Sequence, residues 1–203
     1  MASPTDAGTA GFVLAGGRSS RMGREKGLLE ICGEPMVVRT ARLVASVCDS
    51  AAIVGPPEHY AQFGYPALAD EQPHLGPLGG ISTALGHATA QWNLILACDM
   101  PYLTADWLRF LLSRARASRA RVILPVSASG PEPLCAAYHR DSAAEIRAQV
   151  ARGVMKVTQA LEPAGVERIP AEEILPFDPR GLLFQNLNRP EDYESARADL
   201  EGK

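Results

Sequence analysis

The chain has 203 residues, of which 46% are apolar and 21% are charged, a balance that supports a folded domain and excludes a disordered or collagen-like protein. Its 20 basic and 23 acidic side chains give a net charge of −3, so we expect no general attraction to nucleic acid or to an anionic membrane. The sequence has neither an apolar run of about 18 to 20 residues that would span a bilayer nor a signal-peptide pattern, which predicts a cytoplasmic protein.

Apolar patterns predict strands and helices that alternate along the chain. A polar arm over residues 1–10 precedes the first strand. The predicted strands cover residues 11–15, 51–55, 67–69, 92–98, 122–126, 133–138, 166–169 and 182–187. The predicted helices cover residues 35–48, 58–63, 78–90, 104–117, 141–150, 153–161 and 191–200, two of which begin at the N-cap residues Thr104 and Asp141.

This alternation predicts an α/β fold of the Rossmann-like type, with a mostly parallel mixed sheet between two layers of helices. Residues 133–138 are expected to add an antiparallel strand. No repeat or linker divides the sequence, so we predict a single domain over residues 1–203. The cysteines are scattered without a CxxC pair, which predicts reduced thiols at Cys32, Cys48, Cys98 and Cys135.

Open parallel sheets bind ligands at the carboxyl ends of their strands. The loops that follow the strands ending at Ala15, Ala69 and Cys98 are therefore expected to converge. These loops carry the stretch 16–26, Asp70 and Asp99, respectively.

The stretch that follows the first strand is basic and rich in glycine. Residues 18–26 (RSSRMGREK) hold four cationic side chains against one carboxylate, and glycines let backbone N–H groups approach an anion closely. The stretch matches neither the Walker A pattern nor GxGxxG. It predicts a triphosphate-binding loop, although a solvated basic loop with turn glycines fits the same composition equally well.

Residues 14–29 (LAGGRSSRMGREKGLL) are similar to the signature LAGG-x-S-x-RMG-x-D/E-K-x-LL of the molybdenum cofactor guanylyltransferases. Residues 76–81 (GPLGGI) and 98–102 (CDMPY) resemble the GPLxG and CDxP segments of that family. Residues 133–138 and 184–192 resemble two of its later segments, so the similarity covers nearly the whole chain. Glu25 departs from the family pattern, where Asp is commoner.

The resemblance implies a fold of the nucleotide-diphospho-sugar transferase type and an enzyme that transfers GMP from GTP to the terminal phosphate of molybdenum-molybdopterin. The products would be the guanine dinucleotide cofactor and pyrophosphate. Molybdenum-insertion proteins or client molybdoenzymes are the partners that such a product implies. The nucleotide-binding residues implied are Leu14, Ala15, Gly16, Gly17, Lys26, Asp70 and Asp99, of which Asp99 would also hold Mg²⁺.

Each of these residue types has a physical reason to be there. Asp99 follows a strand and precedes Pro101, so its carboxylate either projects into the cleft, where it suits Mg²⁺, or caps a turn. Lys26, assisted by Arg21, is expected to stabilise the negative charge on the departing pyrophosphate. The attacking phosphate is ionised at neutral pH, so the reaction requires no general base.

Three further positions allow two interpretations each. Asp70 either accepts hydrogen bonds from the base or ribose of the nucleotide or caps the turn that it begins. Asn186 and Asn188 are candidates for the acceptor side of the site, but asparagine at such positions is equally typical of turns.

Three alternative functions remain open. A cytidylyltransferase that acts on the same pterin would carry a sequence like LAAG where this chain has LAGG. The alanine in place of Gly16 adds a Cβ, which would leave less room for a purine. A sugar-phosphate nucleotidyltransferase usually carries proline before the lysine, where this chain has Glu25. A nucleotide-binding delivery protein would keep the fold without turnover.

Overall fold

The computed structural model of the chain describes residues 8–16 and 25–202. Its strands are β1 (Thr9–Leu14), β2 (Glu30–Ile31), β3 (Glu34–Pro35), β4 (Ser50–Val54), β5 (Ala67–Leu68), β6 (Trp92–Ala97), β7 (Val122–Ser127), β8 (Gly130–Pro131), β9 (Cys135–His139) and β10 (Val166–Ile169). Its α-helices are α1 (Met36–Ala45), α2 (Pro57–Tyr60), α3 (Pro77–His87), α4 (Ala105–Ala117), α5 (Ser142–Ala151), α6 (Val157–Leu161), α7 (Ala171–Ile174) and α8 (Pro190–Glu201).

The main sheet has the strand order β10-β7-β9-β6-β1-β4-β5, with β8 paired to β7. Strand β1 runs parallel to β4 and β6, β4 parallel to β5, and β7 parallel to β10. Strand β9 is antiparallel to β6 and β7. The predicted mostly parallel mixed sheet is therefore confirmed, and so is the antiparallel addition.

Helices cover both faces of this sheet, because alternate residues of each buried strand point to opposite sides. In β1, Val13 packs in the core cluster that also contains Val44 of α1 and Leu108 of α4. Phe12 packs in the opposite cluster with Ile81 of α3. The result is the predicted arrangement of three layers.

A smaller third core cluster packs residues from the N-terminal part of the chain against residues from its C-terminal part. Ile31 of β2 and Met36 of α1 pack against Leu187 and Ala196, the last of which lies on α8. Strands β2 and β3 form an antiparallel hairpin that the sequence analysis did not predict. Cys32 has φ 55° in the turn of this hairpin, a left-handed conformation that two-residue hairpin turns require.

Several predicted boundaries need correction. Strand β1 begins at Thr9, so Thr9 and Ala10 belong to the sheet rather than to the predicted arm. Helix α6 covers only Val157–Leu161 of the predicted helix over 153–161, because α5 continues to Ala151 and Gly153 then has φ 79°. Asp141 occupies the N-cap position of α5, but its side chain makes no capping hydrogen bond.

The predicted strand over 182–187 is wrong. Its apolar residues Leu183, Phe184 and Leu187 are buried as expected. Its backbone amides, however, bond to groups outside the sheet: Leu182 and Leu183 donate to Oδ1 of Asp178. Because those donors are taken by a carboxylate, the segment forms a buried turn.

All four cysteines are free thiols, as predicted. None of the helices among the described residues combines the length and the apolar character needed to cross a membrane.

Candidate active site

The loops expected to converge do meet at one edge of the sheet. The amide of Cys98 donates to the carbonyl of Leu14 at 3.1 Å, and the amide of Ala15 donates to that of Val54 at 2.8 Å. The amide of Gly55 continues the series by donating to Leu68. The carboxyl ends of β6, β1, β4 and β5 therefore lie side by side, with a loop leaving each of them.

Two adjoining cavities open at this edge. The first has a volume of about 350 Å³ and the second a volume of about 430 Å³. Leu14, Gly16 and Pro77 line both, so the cavities meet at the end of β1. Of the candidate residues, those that line the first cavity are Leu14, Ala15, Gly16, Lys26, Asp99, Asn186 and Asn188.

Lys26 and Asp99 form an ion pair inside the first cavity. The Nζ of Lys26 lies 3.0 Å from Oδ2 of Asp99, and the two side chains are only 25% and 16% exposed, respectively. The same Nζ donates a hydrogen bond of 2.9 Å to Oδ1 of Asn188. Partial burial reduces the screening of this pair by water. One ammonium therefore bridges the loop after β6 and the segment before α8.

Asp70 lines the second cavity together with Glu58 of α2. Its Oδ1 accepts hydrogen bonds from the backbone N–H of Gln72 at 2.9 Å and from the hydroxyl of Thr83 at 3.1 Å. Among the described residues, Oδ2 of Asp70 takes part in no such bond. One oxygen thus fixes the turn, and the other is available to a ligand.

Glycines shape the walls of the second cavity. A Cβ on Gly80 would lie 3.1 Å from Cδ1 of Leu14, and Gly76 has φ 56°, so both positions favour glycine for reasons of packing or backbone conformation. A Cβ on Gly16, in contrast, would meet no described protein atom within 4 Å. Packing against the described residues therefore does not require glycine at position 16.

Gly17 and Arg21 lie outside the described residues. Glu25, the departure from the family pattern, has its Oε2 2.7 Å from Nδ1 of His59. That contact turns the carboxylate towards α2.

Two buried residues of the first cavity were not singled out from the sequence. The hydroxyl of Tyr60 donates to the carbonyl of Ala15 at 2.9 Å, and burial raises the pKa of that phenol. Burial, reinforced by the charge of Asp99, raises the pKa of the Cys98 thiol to about 12. Both groups are therefore protonated at neutral pH. No local sequence pattern marks Tyr60, because it reaches the cavity across 45 residues.

The oxygens of this cavity fit a hard divalent cation. Asp99 supplies a carboxylate oxygen, and within residues 8–16 and 25–202 no group of three or more His, Cys, Asp or Glu side chains gathers to hold a metal. A site with so few protein ligands suits Mg²⁺, which keeps waters and takes phosphate oxygens as further ligands.

Known proteins place this chain in a family. The family model described as "MobA-like NTP transferase domain" matches residues 11–165 of this chain. The molybdenum cofactor guanylyltransferase of Syntrophotalea carbinolica is 31% identical over 186 residues, which cover 91% of this chain and 89% of the relative. The chain belongs to the MobA-like NTP transferase family. The resemblance seen in residues 14–29 is thereby confirmed.

Solved structures extend the likeness of this MobA-like transferase to the fold. Molybdopterin-guanine dinucleotide biosynthesis protein A from Archaeoglobus fulgidus is similar with a TM-score of 0.83 and 25% identity, covering 96% of this chain and all of that one. CMP:2-keto-3-deoxy-manno-octonic acid synthetase, solved with CTP, has a TM-score of 0.73 at 15% identity and covers 96% of this chain and 99% of its own. The predicted fold of the nucleotide-diphospho-sugar transferase type is confirmed.

Proposed function

We propose that this protein transfers GMP from GTP to the terminal phosphate of molybdenum-molybdopterin, giving the guanine dinucleotide cofactor and pyrophosphate. The observation that carries the proposal is the ion pair between Lys26 and Asp99 in a cleft at the carboxyl edge of the sheet. A cation and a metal-binding carboxylate are what a polyphosphate substrate requires. The relatives named molybdenum cofactor guanylyltransferase support guanine as the base and molybdopterin as the acceptor.

The two cavities would hold different parts of the nucleotide. We assign the phosphates to the first cavity, where Lys26 and Asp99 lie, and the base and ribose to the second, where Oδ2 of Asp70 bonds to none of the described residues. Leu14 and Gly16, at the junction, would lie against the nucleotide between these two parts, with Ala15 on the side of the first cavity, and Gly17 would follow them. Arg21 would add a second cation beside the phosphates.

The chemical step is a displacement at phosphorus. An oxygen of the acceptor phosphate forms a bond to the α-phosphorus of GTP, the bond from that phosphorus to the bridging oxygen breaks, and pyrophosphate leaves with the electron pair. Lys26 stabilises the charge that develops on the leaving group. Asp99 would hold Mg²⁺, which when bound would supply Lewis-acid polarisation of the phosphates.

Proton transfer is not part of this step. The acceptor phosphate is ionised at neutral pH, so it attacks without help from a base. Two buried groups that line the first cavity agree with this, since the Cys98 thiol and the Tyr60 phenol both have raised pKa values and keep their protons.

The second cavity has features that favour guanine. Asp70 and Glu58 present carboxylate oxygens, which only accept hydrogen bonds. Guanine offers two adjacent donors on its pairing edge, whereas cytosine offers one. The space beside Gly16 leaves room for a purine. We place the reaction in the cytoplasm, where molybdenum-insertion proteins or client molybdoenzymes would receive the product.

The test is pyrophosphate release from GTP with molybdenum-molybdopterin as acceptor, with and without Mg²⁺. Lys26→Ala and Asp99→Ala are each expected to lower turnover about 10²- to 10³-fold, because each removes electrostatic stabilisation of the transition state. Lys156→Ala is the matched control, since Lys156 is exposed at the start of α6. Circular dichroism and thermal melting check that every variant is folded.

The same assay separates the alternatives. Turnover retained in both active-site variants would refute the proposal, and CTP outcompeting GTP would make the protein a cytidylyltransferase. A sugar phosphate that replaces the pterin as acceptor would place it among the sugar-phosphate nucleotidyltransferases. Tight GTP binding without pyrophosphate release from any acceptor would indicate a delivery protein.

A further inference from the structure

The side chain of Asn188 points at a protein group rather than into open space. Its Oδ1 lies 2.9 Å from Nζ of Lys26, on a contact that spans 162 residues of sequence. We propose that Asn188 is a positioning residue that holds the Lys26 ammonium on the phosphate side of the cleft, and that Asp192 in turn fixes Asn188. This inference rests on the proposed function and adds to it a means of aiming the lysine.

The chemistry of the contact explains why a second partner is useful. Lysine carries its charge on a long, flexible stem, and an unheld ammonium samples many positions. The Lys26 ammonium also contacts Asp99, which is the residue assigned to the metal. The carboxylate of Asp99 would therefore be shared between the metal and the ammonium. An amide oxygen accepts a hydrogen bond from the ammonium but carries no net charge. Asn188 therefore fixes the position of the cation without neutralising it.

Backbone bonds fix the segment that carries Asn188. The amide of Leu187 donates to the carbonyl of Asp99 at 3.0 Å. The amides of Asn188 and Arg189 donate to the same oxygen, Oδ2 of Asp192, at 2.9 and 2.8 Å. The carboxylate of Asp192 lies at the third position of α8, where it accepts from the backbone amide of the N-cap residue Arg189. The start of α8 thus sets the direction in which Asn188 leaves the backbone.

Helix α8 is also packed against the chain that follows Lys26. The hydroxyl of Tyr193 donates to the carbonyl of Glu30 at 2.6 Å, and Oε1 of Glu201 accepts from the amide of Cys32 at 3.0 Å. The third core cluster, described above, lies between them. Both ends of the contact between Lys26 and Asn188 are therefore attached to one packed unit, which keeps their separation constant.

The first experiment compares triphosphate with monophosphate binding. Affinities for GTP and GMP are measured by titration calorimetry with Mg²⁺ and without acceptor. Asn188→Ala is expected to weaken GTP binding about tenfold, the effect typical of losing one charge-assisted hydrogen bond, and to leave GMP binding unchanged. A variant that bound GTP as tightly as the wild type would overturn the proposal, and so would an effect confined to the KM of the acceptor.

A double-mutant cycle then shows whether Asn188 acts through Lys26. In the background of Lys26→Ala, the further change Asn188→Ala is expected to have no effect on GTP affinity, since the residue that it positions is gone. Additive losses would mean that Asn188 touches the phosphates itself, which contradicts a positioning role. Asn188 is an exposed residue, so truncating its side chain leaves the core intact.

The last experiment tests the role of Asp192. Asp192→Ala is expected to reproduce part of the loss in GTP affinity while GMP affinity is retained. Glu191→Ala is its matched control, because Glu191 is exposed in the same first turn of α8. Equal behaviour of the two variants would overturn the role of Asp192. If the wild type preferred CTP to GTP, the proposed function would fail, yet the same comparison made with CTP and CMP would still decide the role of Asn188.

Discussion

Gly16 lies where the two cavities meet, and it is the residue at which the chain differs from the LAAG pattern of the cytidylyltransferases. A Cβ there would contact no described protein atom. The glycine is therefore required by neither packing nor backbone conformation within the described protein. What it leaves is empty volume beside the assigned position of the base.

Gly16→Ala is expected to lower GTP affinity about tenfold, because a methyl group that displaces a base costs roughly 1 to 3 kcal/mol. CTP affinity is expected to change less, since a pyrimidine is smaller. Competitive binding of the two nucleotides measures the effect, and an unchanged melting temperature is the control for folding. Equal losses for both nucleotides would contradict a role in base selection.

The local sequence predicts some residues of the site better than others. Lys26 and Asp99 stand in recognisable motifs, and the structure brings their charged atoms together. The contact of Asn188 with Lys26 has no local pattern, because a separation of 162 residues is closed only by the packing of α8. Glu25 is similar: its neighbour in the sequence is Lys26, but its carboxylate contacts His59.

At the scale of elements, apolar patterns identify the long segments and some short ones, such as β10, which matches the predicted strand over 166–169. Strand β6 and helix α4 agree with prediction to within one residue. The hairpin of β2 and β3 has two residues in each strand, too few for an alternating pattern. The segment 182–187 is rich in apolar residues, as a buried strand is, yet the amides of Leu182 and Leu183 bond to Asp178, a preference that apolar composition does not encode.

The N-caps of α4 and α5 form a matched pair for a stability test. The hydroxyl of Thr104 accepts a hydrogen bond from the amide of Trp107, whereas Asp141 makes no capping bond. Thr104→Ala is therefore expected to lower the free energy of unfolding by about 1 kcal/mol, and Asp141→Ala by only a few tenths. Chemical denaturation measures both, and Thr104→Ser should restore most of the loss. Equal effects of the two alanine variants would show that the cap hydrogen bond is unimportant.

At the scale of the whole molecule, the layered architecture follows from physical rules that the sequence displays. Buried parallel strands connected by helices place helices on both faces. The placement of β10 beside β7, at the far edge of the sheet, was not predicted. Because β9 lies between β6 and β7, the other side of β7 is available for pairing with β10. This availability is a property of the assembled sheet and not of the local sequence.

The buried thiols make the stability of the molecule sensitive to alkaline pH. Burial raises the pKa values of Cys98 and Cys135 from 9.0 to about 12. Between these values the unfolded chain ionises its thiols and the folded chain does not, so the unfolded state binds fewer protons and stability falls as pH rises. The buried phenols of Tyr60 and Tyr138 have raised pKa values and act in the same direction.

We expect the free energy of unfolding to be constant from pH 7 to 8 and to fall above pH 9, by on the order of 1 kcal/mol per thiol per pH unit. Denaturant unfolding at a series of pH values measures the decline. Cys135→Ala is expected to be less stable at neutral pH, because it leaves a cavity, and to show a shallower decline above pH 9, so that its deficit relative to the wild type shrinks as the pH rises. A flat profile up to pH 11 would contradict this account.

The anchoring of α8 also has a consequence for biosynthesis. Lys26 leaves the ribosome early, whereas the segment that supplies its amide partner follows more than 150 residues later. The central strands β1, β4 and β6 are all made before that segment. A nascent polypeptide can therefore assemble the middle of its sheet, together with the ion pair between Lys26 and Asp99, whereas the hydrogen bond from Lys26 to Asn188 forms only after residues 187–201 have emerged.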